Sequence, residues 1–82
     1  MTLYWVEASI VNLSQDAVQS VLDRVATTAR AAGARLLEAR ITKDLVRLSA
    51  IVEARDELAV KGSFLDGTLS IDLLKPLRLT EV

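Results

Sequence analysis

The chain opens on a period of two. Within residues 2–11, Tyr4, Val6, Ala8 and Ile10 recur at alternate positions, with Leu3, Trp5, Glu7, Ser9 and Val11 between them. That alternation predicts a strand with one face in a core. The second face mixes apolar and polar groups, which suits a surface that meets a partner or a ligand.

The period lengthens over residues 15–32. Ala17, Val18, Val21, Leu22, Val25, Ala26 and Ala29 fall on one stripe of a predicted helix. Ser14 is placed as its N-cap, and Leu13 and Val18 as a hydrophobic staple across the first turn. Asp16 and Arg30 stand at the ends that the helix dipole favours. Gly33 supplies the left-handed residue that ends the helix. A stripe of Val and Ala is thin enough to lie close on a sheet.

Alternation returns over residues 34–42 and 45–54, predicting two strands joined by a tight turn at Lys43-Asp44. Leu37, Ala39 and Ile41 face inward on the first, and Val46, Leu48, Ala50 and Val52 on the second. Residues 55–66 fit two patterns. One is a short helix capped by Asp56, carrying Leu58, Lys61 and Leu65, in which Gly62 costs about 1 kcal/mol relative to Ala. The other is a strand with Leu58, Val60, Gly62 and Phe64 on one side, turning at Asp66-Gly67. The helix is favoured because it completes a layer on the sheet. A last strand spans 68–74, with Leu69, Ile71 and Leu73 inward, and Pro76 interrupts its ladder because it has no N–H. Leu77 and Leu79 alternate beyond, so the apolar tail 75–82 is expected to dock on an edge of its own sheet or a partner's.

The order strand, helix, strand, strand, short helix, strand predicts one α+β domain over residues 1–82. It is the ferredoxin-like βαββαβ pattern, a four-stranded antiparallel sheet with helices on one face. The other face would then show Leu3, Trp5, Glu7, Ser9, Leu36, Glu38, Arg40, Arg47, Ser49, Ile51, Glu53, Ser70, Asp72 and Leu74. That set is too apolar for a solvated surface and too charged for a core. Such a face meets a second sheet in a dimer or walls a pocket between two sheets.

Composition sharpens this. A chain of 82 residues buries only roughly 60–65% of the surface its unfolded form exposes, so small domains add disulfides, a metal or a partner subunit. With no Cys and no His, disulfides are impossible and a zinc site has no usual ligands. An apolar fraction of 51% points to the remaining option, a homo-oligomer. The same two absences exclude Ser-His-Asp and Cys-His catalysis and leave no side chain with an unperturbed pKa near neutrality. Neither a metal nor an organic cofactor is expected.

Ten Lys and Arg against eleven Asp and Glu give a net charge of -1, with no basic stripe, which disfavours nucleic acid. No apolar run approaches the roughly 20 residues of a membrane span. The start Met1-Thr2-Leu3-Tyr4-Trp5 has no basic segment ahead of an apolar one, so a cytoplasmic location is expected.

Several residues on the open face carry chemistry. Trp5 is the first candidate for an interface or ligand wall, with Ile51 beside it, because large aromatics dominate binding hot spots. Tyr4, its neighbour, points the other way into the core. The tight turn, or a four-residue loop in the same register, would pair Arg40 with Arg47, and like charges opposite each other are destabilising unless an anion or carboxylates sit nearby. Either the two arginines hold an anionic ligand, for which a planar guanidinium is suited, or they join a network with Glu38, Glu7 or a partner's acids. Glu7, Glu38, Glu53 and Asp72 are the acid–base candidates. Ser9, Ser49 and Ser70 have no base beyond these acids.

Two functions follow. The first is a small oligomeric binding or assembly module that engages a protein partner or small molecule through Trp5, Glu38, Arg40, Arg47 and Ile51. The alternative is a cofactor-free isomerase or cyclase for a small, partly apolar carbonyl or carboxylate substrate. In it Glu7 or Asp72 moves a proton, and Arg40 and Arg47 hold an anionic group.

The element order resembles two broad groups of small βαββαβ proteins, the dimeric α/β-barrel proteins and the ligand-sensing ACT-type modules. Where ACT-type modules carry Asp-X-X-Gly after the first strand, this chain has Asn12-Leu13-Ser14-Gln15. The histidines common in barrel-type monooxygenases and nickel-binding relatives are absent. The resemblance therefore transfers no site residue.

Overall fold

The structure, a computed structural model, describes residues 1–65 and 67–78. It is α+β. The elements are β1 (Thr2–Ile10), a 3₁₀ turn (Gln15–Ala17), α1 (Val18–Ala31), β2 (Arg35–Ile41), β3 (Arg47–Ala54), α2 (Glu57–Ser63) and β4 (Leu69–Pro76). The strands form one antiparallel sheet in the order β2-β3-β1-β4. This order, with a helix after β1 and another after β3, is compatible with the expected βαββαβ arrangement.

One side of the central strands is buried at every second residue. Tyr4, Val6, Ala8 and Ile10 of β1 and Leu48, Ala50, Val52 and Ala54 of β3 join Val21, Val25 and Ala29 of α1 and Val60 of α2 in a single cluster. Both helices therefore lie on the Tyr4 side.

The ends of α1 divide. Ser14 is extended, but its side chain makes no capping bond. The chain instead enters through the 3₁₀ turn, in which the Ala17 N–H donates to the Ser14 carbonyl. The expected N-cap is therefore corrected: the α-helix begins at Val18, a turn later than its apolar period. Gly33 holds a φ of 78° as expected. The Gly33 N–H reaches the Arg30 carbonyl and the Ala34 N–H the Ala29 carbonyl, at 3.1 and 2.8 Å, which is a Schellman ending.

The segment after β3 is the helix. The Asp56 side chain accepts from the Ala59 N–H at 2.9 Å and caps it. The Ser63 hydroxyl, buried inside, donates to the Ala59 carbonyl.

Three registers differ from simple alternation. On β2 the pairing jumps between Leu36, opposite Val52, and Glu38, opposite Ile51. Leu37 is the extra residue of this bulge and is 45% exposed, whereas Leu36 packs on the core. On β4 the pairing jumps between Ile71, opposite Ala8, and Leu73, opposite Glu7, so Asp72 is the extra residue. Leu73 is 39% exposed and Leu74 packs inward. The expected sides of Leu36 and Leu37, and of Leu73 and Leu74, are thus exchanged, because an inserted residue inverts every side chain beyond it.

The third correction is the β2–β3 turn. The Thr42 N–H donates to the Arg47 carbonyl at 3.0 Å and the Leu45 N–H to the Thr42 carbonyl, so residues 43–46 make the loop and Thr42 lies opposite Arg47 rather than Leu45. Leu45 takes the left-handed position, with φ 62°. Val46, expected inside, is 48% exposed. Arg40 therefore lies opposite Ser49, and Arg47 opposite Ser9, rather than opposite each other.

Pro76 closes β4 at the sheet edge, opposite Tyr4, where its missing N–H costs no ladder bond to a further strand. The Leu77 N–H then donates to the Leu3 carbonyl at 2.7 Å, so the tail starts along its own β1. Leu79 and the rest of the tail, and the expected turn residue Asp66, lie outside the described residues.

Candidate functional site

The side of the sheet away from the helices carries all seven candidate residues. The strand registers arrange them in transverse rows. One row runs Glu38, Ile51, Trp5, Lys75 across β2, β3, β1 and β4. The next runs Arg40, Ser49, Glu7, Leu73, with the bulged Asp72 beside Leu73. A third places Arg47 opposite Ser9, and Ser9 opposite Ser70.

The middle of this face is half-buried although no described helix covers it. Leu3, Trp5, Glu7, Ser49, Ile51 and Glu53 all keep part of their surface in solvent and part against neighbours. The Trp5 indole explains much of this. Its Nε1–H donates to Glu7 Oε2 at 3.0 Å, which lays the ring along its own strand and fixes the carboxylate two residues on. A buried indole N–H usually finds such a partner. Here the polar end of the ring is satisfied and its apolar face stays available beside Ile51.

Glu38 and Arg40 form an ion pair, with Arg40 Nε 2.8 Å from Glu38 Oε1. The two are one β2 step apart on the same face. The Arg40 side chain is 80% exposed, so the pair contributes little to stability and leaves most of the guanidinium free to bind. Arg47 faces Ser9 at the end of the sheet, beside the loop. The Ser9 hydroxyl donates to Asp72 Oδ2 across β1 and β4.

Two shallow depressions meet at Trp5. One, of about 300 Å³, is lined by Trp5, Glu38, Arg40, Ser49 and Ile51. The other, of about 380 Å³, is lined by Trp5, Glu7, Arg40, Thr42, Arg47 and Ser49. Trp5, Glu7, Glu38, Arg40, Arg47 and Ile51 are therefore contiguous. Asp72 stands apart, on the far side of β1, and bonds Ser9 rather than Glu7. The two carboxylates proposed for proton transfer thus have separate partners.

Lys75 was missed from the sequence. The β4 bulge shifts the register so that Lys75 lies directly opposite Trp5; strict alternation placed the apolar tail to begin there. Among the described residues no group of three or more acidic side chains gathers in a way that could hold a metal ion. No described helix is long and apolar enough to cross a membrane. No protein-family model matches the chain, and no curated protein matches it in sequence.

Proposed function

We propose that the chain is a small oligomeric binding and assembly module that works through the uncovered face of its sheet. The observation that carries this reading is the half-buried Trp5–Ile51 pair at the centre of that face, ringed by Glu7, Glu38 and Arg40. An apolar centre within a polar rim is the anatomy of an interface, and a Trp at its middle is the residue type that most often dominates binding energy. Sedimentation velocity tests it. The wild-type chain should sediment as a dimer or larger at micromolar concentration, and Trp5→Ala should move it toward monomer. A wild-type monomer throughout that range would overturn the reading, as would an oligomer indifferent to Trp5→Ala.

One observation favours a second reading. Glu7, Arg40, Arg47 and Trp5 line a single depression, which is the set a cofactor-free isomerase or cyclase would use. Glu7 would take a proton from carbon beside a carbonyl and return it elsewhere, while the guanidinium groups hold a carboxylate of the substrate. In that case Glu7→Gln abolishes turnover and leaves the melting temperature nearly unchanged. In the module reading Glu7→Gln perturbs only assembly.

A further inference from the structure

We infer that the occupant of the uncovered face is a second copy of this chain, placed by a two-fold axis that runs parallel to the strands above the β1–β3 seam. The inference rests on the module reading and specifies its partner. It follows from the order of charges along the rows. The row Glu38, Ile51, Trp5, Lys75 begins with a carboxylate, ends with an ammonium group and holds the two large apolar side chains between them. Turned over about such an axis, the row meets itself reversed. Trp5 then covers Ile51 of the second copy, and Glu38 meets Lys75 of the second copy. Each contact occurs twice, as an isologous interface requires.

The next row obeys the same operation. Arg40 at one end meets the Asp72–Leu73 end of the second copy, and Glu7 meets Ser49 of the second copy. The first row thus brings opposite charges to the rim and apolar groups to the centre, while the second sets Glu7 and Ser49 at its centre and brings the Asp72 carboxylate near Arg40 at the rim. A two-fold lying across the strands between the two rows would set Glu38 against Arg40 of the second copy but leave Ile51 facing Ser49, Trp5 facing Glu7 and Lys75 facing Leu73. Of the two, the strand-parallel axis closes Trp5 over Ile51 and gives Lys75 an opposite charge. Lys75 is exposed, and no ion pair ties it to another described residue, so its charge is available to a partner.

A charge-exchange cycle tests this. Glu38 and Lys75 sit on opposite edge strands, roughly 14 Å apart at the usual strand spacing, so they have no direct contact within one chain. Glu38→Lys and Lys75→Glu should each raise the dimer dissociation constant about tenfold or more by setting like charges together. The double variant Glu38→Lys/Lys75→Glu should return it to within about threefold of wild type. Far-UV circular dichroism of each variant shows whether it is folded. If a reversal unfolds the chain, the neutral cycle of Glu38→Gln and Lys75→Gln should give the same non-additive coupling. A dimer that Trp5→Ala weakens but whose charge variants combine additively would overturn the proposed axis and leave the module reading standing. A dimer indifferent to Trp5→Ala, or a chain that stays monomeric, would overturn both.

Discussion

Trp5 and Ile51 are direct cross-strand partners on the uncovered face, and each is followed in sequence by a valine, Val6 or Val52, that is fully buried on the other. Adjacent positions on the same strand thus do different work. Val52→Ala removes two methyl groups from a closed core and should cost roughly 1.5–3 kcal/mol of unfolding free energy. Ile51→Ala removes more carbon from a half-open site and should cost the dilute monomer less than that. Its main effect should be on association. Urea denaturation at low concentration, beside sedimentation at high concentration, separates the two. Equal losses of monomer stability would show that Ile51 belongs to the core.

Gly62 stands in the last turn of α2, where glycine costs up to about 1 kcal/mol relative to Ala. A methyl group there would meet the Ala32 Cβ at 3.4 Å, at the edge of ordinary contact. Gly62→Ala should therefore stabilise the protein by about 0.5–1 kcal/mol. Gly33→Ala should do the opposite by about 1 kcal/mol, because that residue holds a φ of 78° to close α1. A lower urea midpoint for Gly62→Ala would mean that α1 and α2 cannot yield the space.

The two helix starts should respond differently to the loss of their polar residue. Asp56 accepts the Ala59 N–H, so Asp56→Ala should cost about 1 kcal/mol. Ser14 makes no such bond, and Ser14→Ala should stay within about 0.5 kcal/mol of wild type. The sequence motif is stronger at Ser14, yet the bond is at Asp56. Denaturation of both variants under one set of conditions decides whether the motif or the observed bond governs.

That contrast marks where local pattern stops being informative. The period of two placed all four strands, and the 3.6 period placed α1, because burial on one face imposes those periods on the sequence. The Gly33 ending and the Asp56 cap were legible because each depends on one residue type at one position. The bulges were not. Leu36 and Leu37 are the same residue, as are Leu73 and Leu74, so the letters give no sign of which member of each pair turns inward. The register of the β2–β3 loop was hidden for a similar reason. Leu45 in the left-handed region is an uncommon choice where Gly or Asn is usual, so nothing in the letters separates the pairing Thr42–Arg47 from Thr42–Leu45. The candidate residues were still gathered on one face, since the errors of register moved Arg40 and Arg47 along the strands without moving them across the sheet. Lys75 is not legible because alternation ends the last strand at residue 74, whereas the bulged strand runs on to Pro76.

The β2 bulge gives a direct test of this account. Leu36→Ser places a hydroxyl against the core and should cost about 2 kcal/mol or more. Leu37→Ser touches a side chain already 45% exposed and should cost under about 1 kcal/mol. Strict alternation along β2 demands the reverse order. Thermal or urea unfolding of the two variants is enough, and a larger loss at Leu37 would remove the bulge from the picture.

The β2–β3 loop carries a group whose protonation the structure perturbs. The Thr42 hydroxyl donates to Asp44 Oδ1 at 2.6 Å, and the Val46 N–H approaches the same oxygen at 3.4 Å. These bonds, the Thr42 one foremost, hold the Asp44 carboxyl below the usual carboxylate range, with a smaller contribution from the Arg47 charge. A carboxylate favoured by the folded loop stabilises that loop above the unfolded pKa of about 3.9, and the benefit is lost as pH falls through the lower, folded value. The group lies at the surface, so its titration midpoint is a better readout than global stability. Carboxyl-carbon NMR should place Asp44 below an ordinary aspartate. Thr42→Val should raise the midpoint, and Arg47→Gln should raise it less. An Asp44 that titrates like a free side chain, or that responds more to Arg47 than to Thr42, would show that the loop is not closed by the hydroxyl bond.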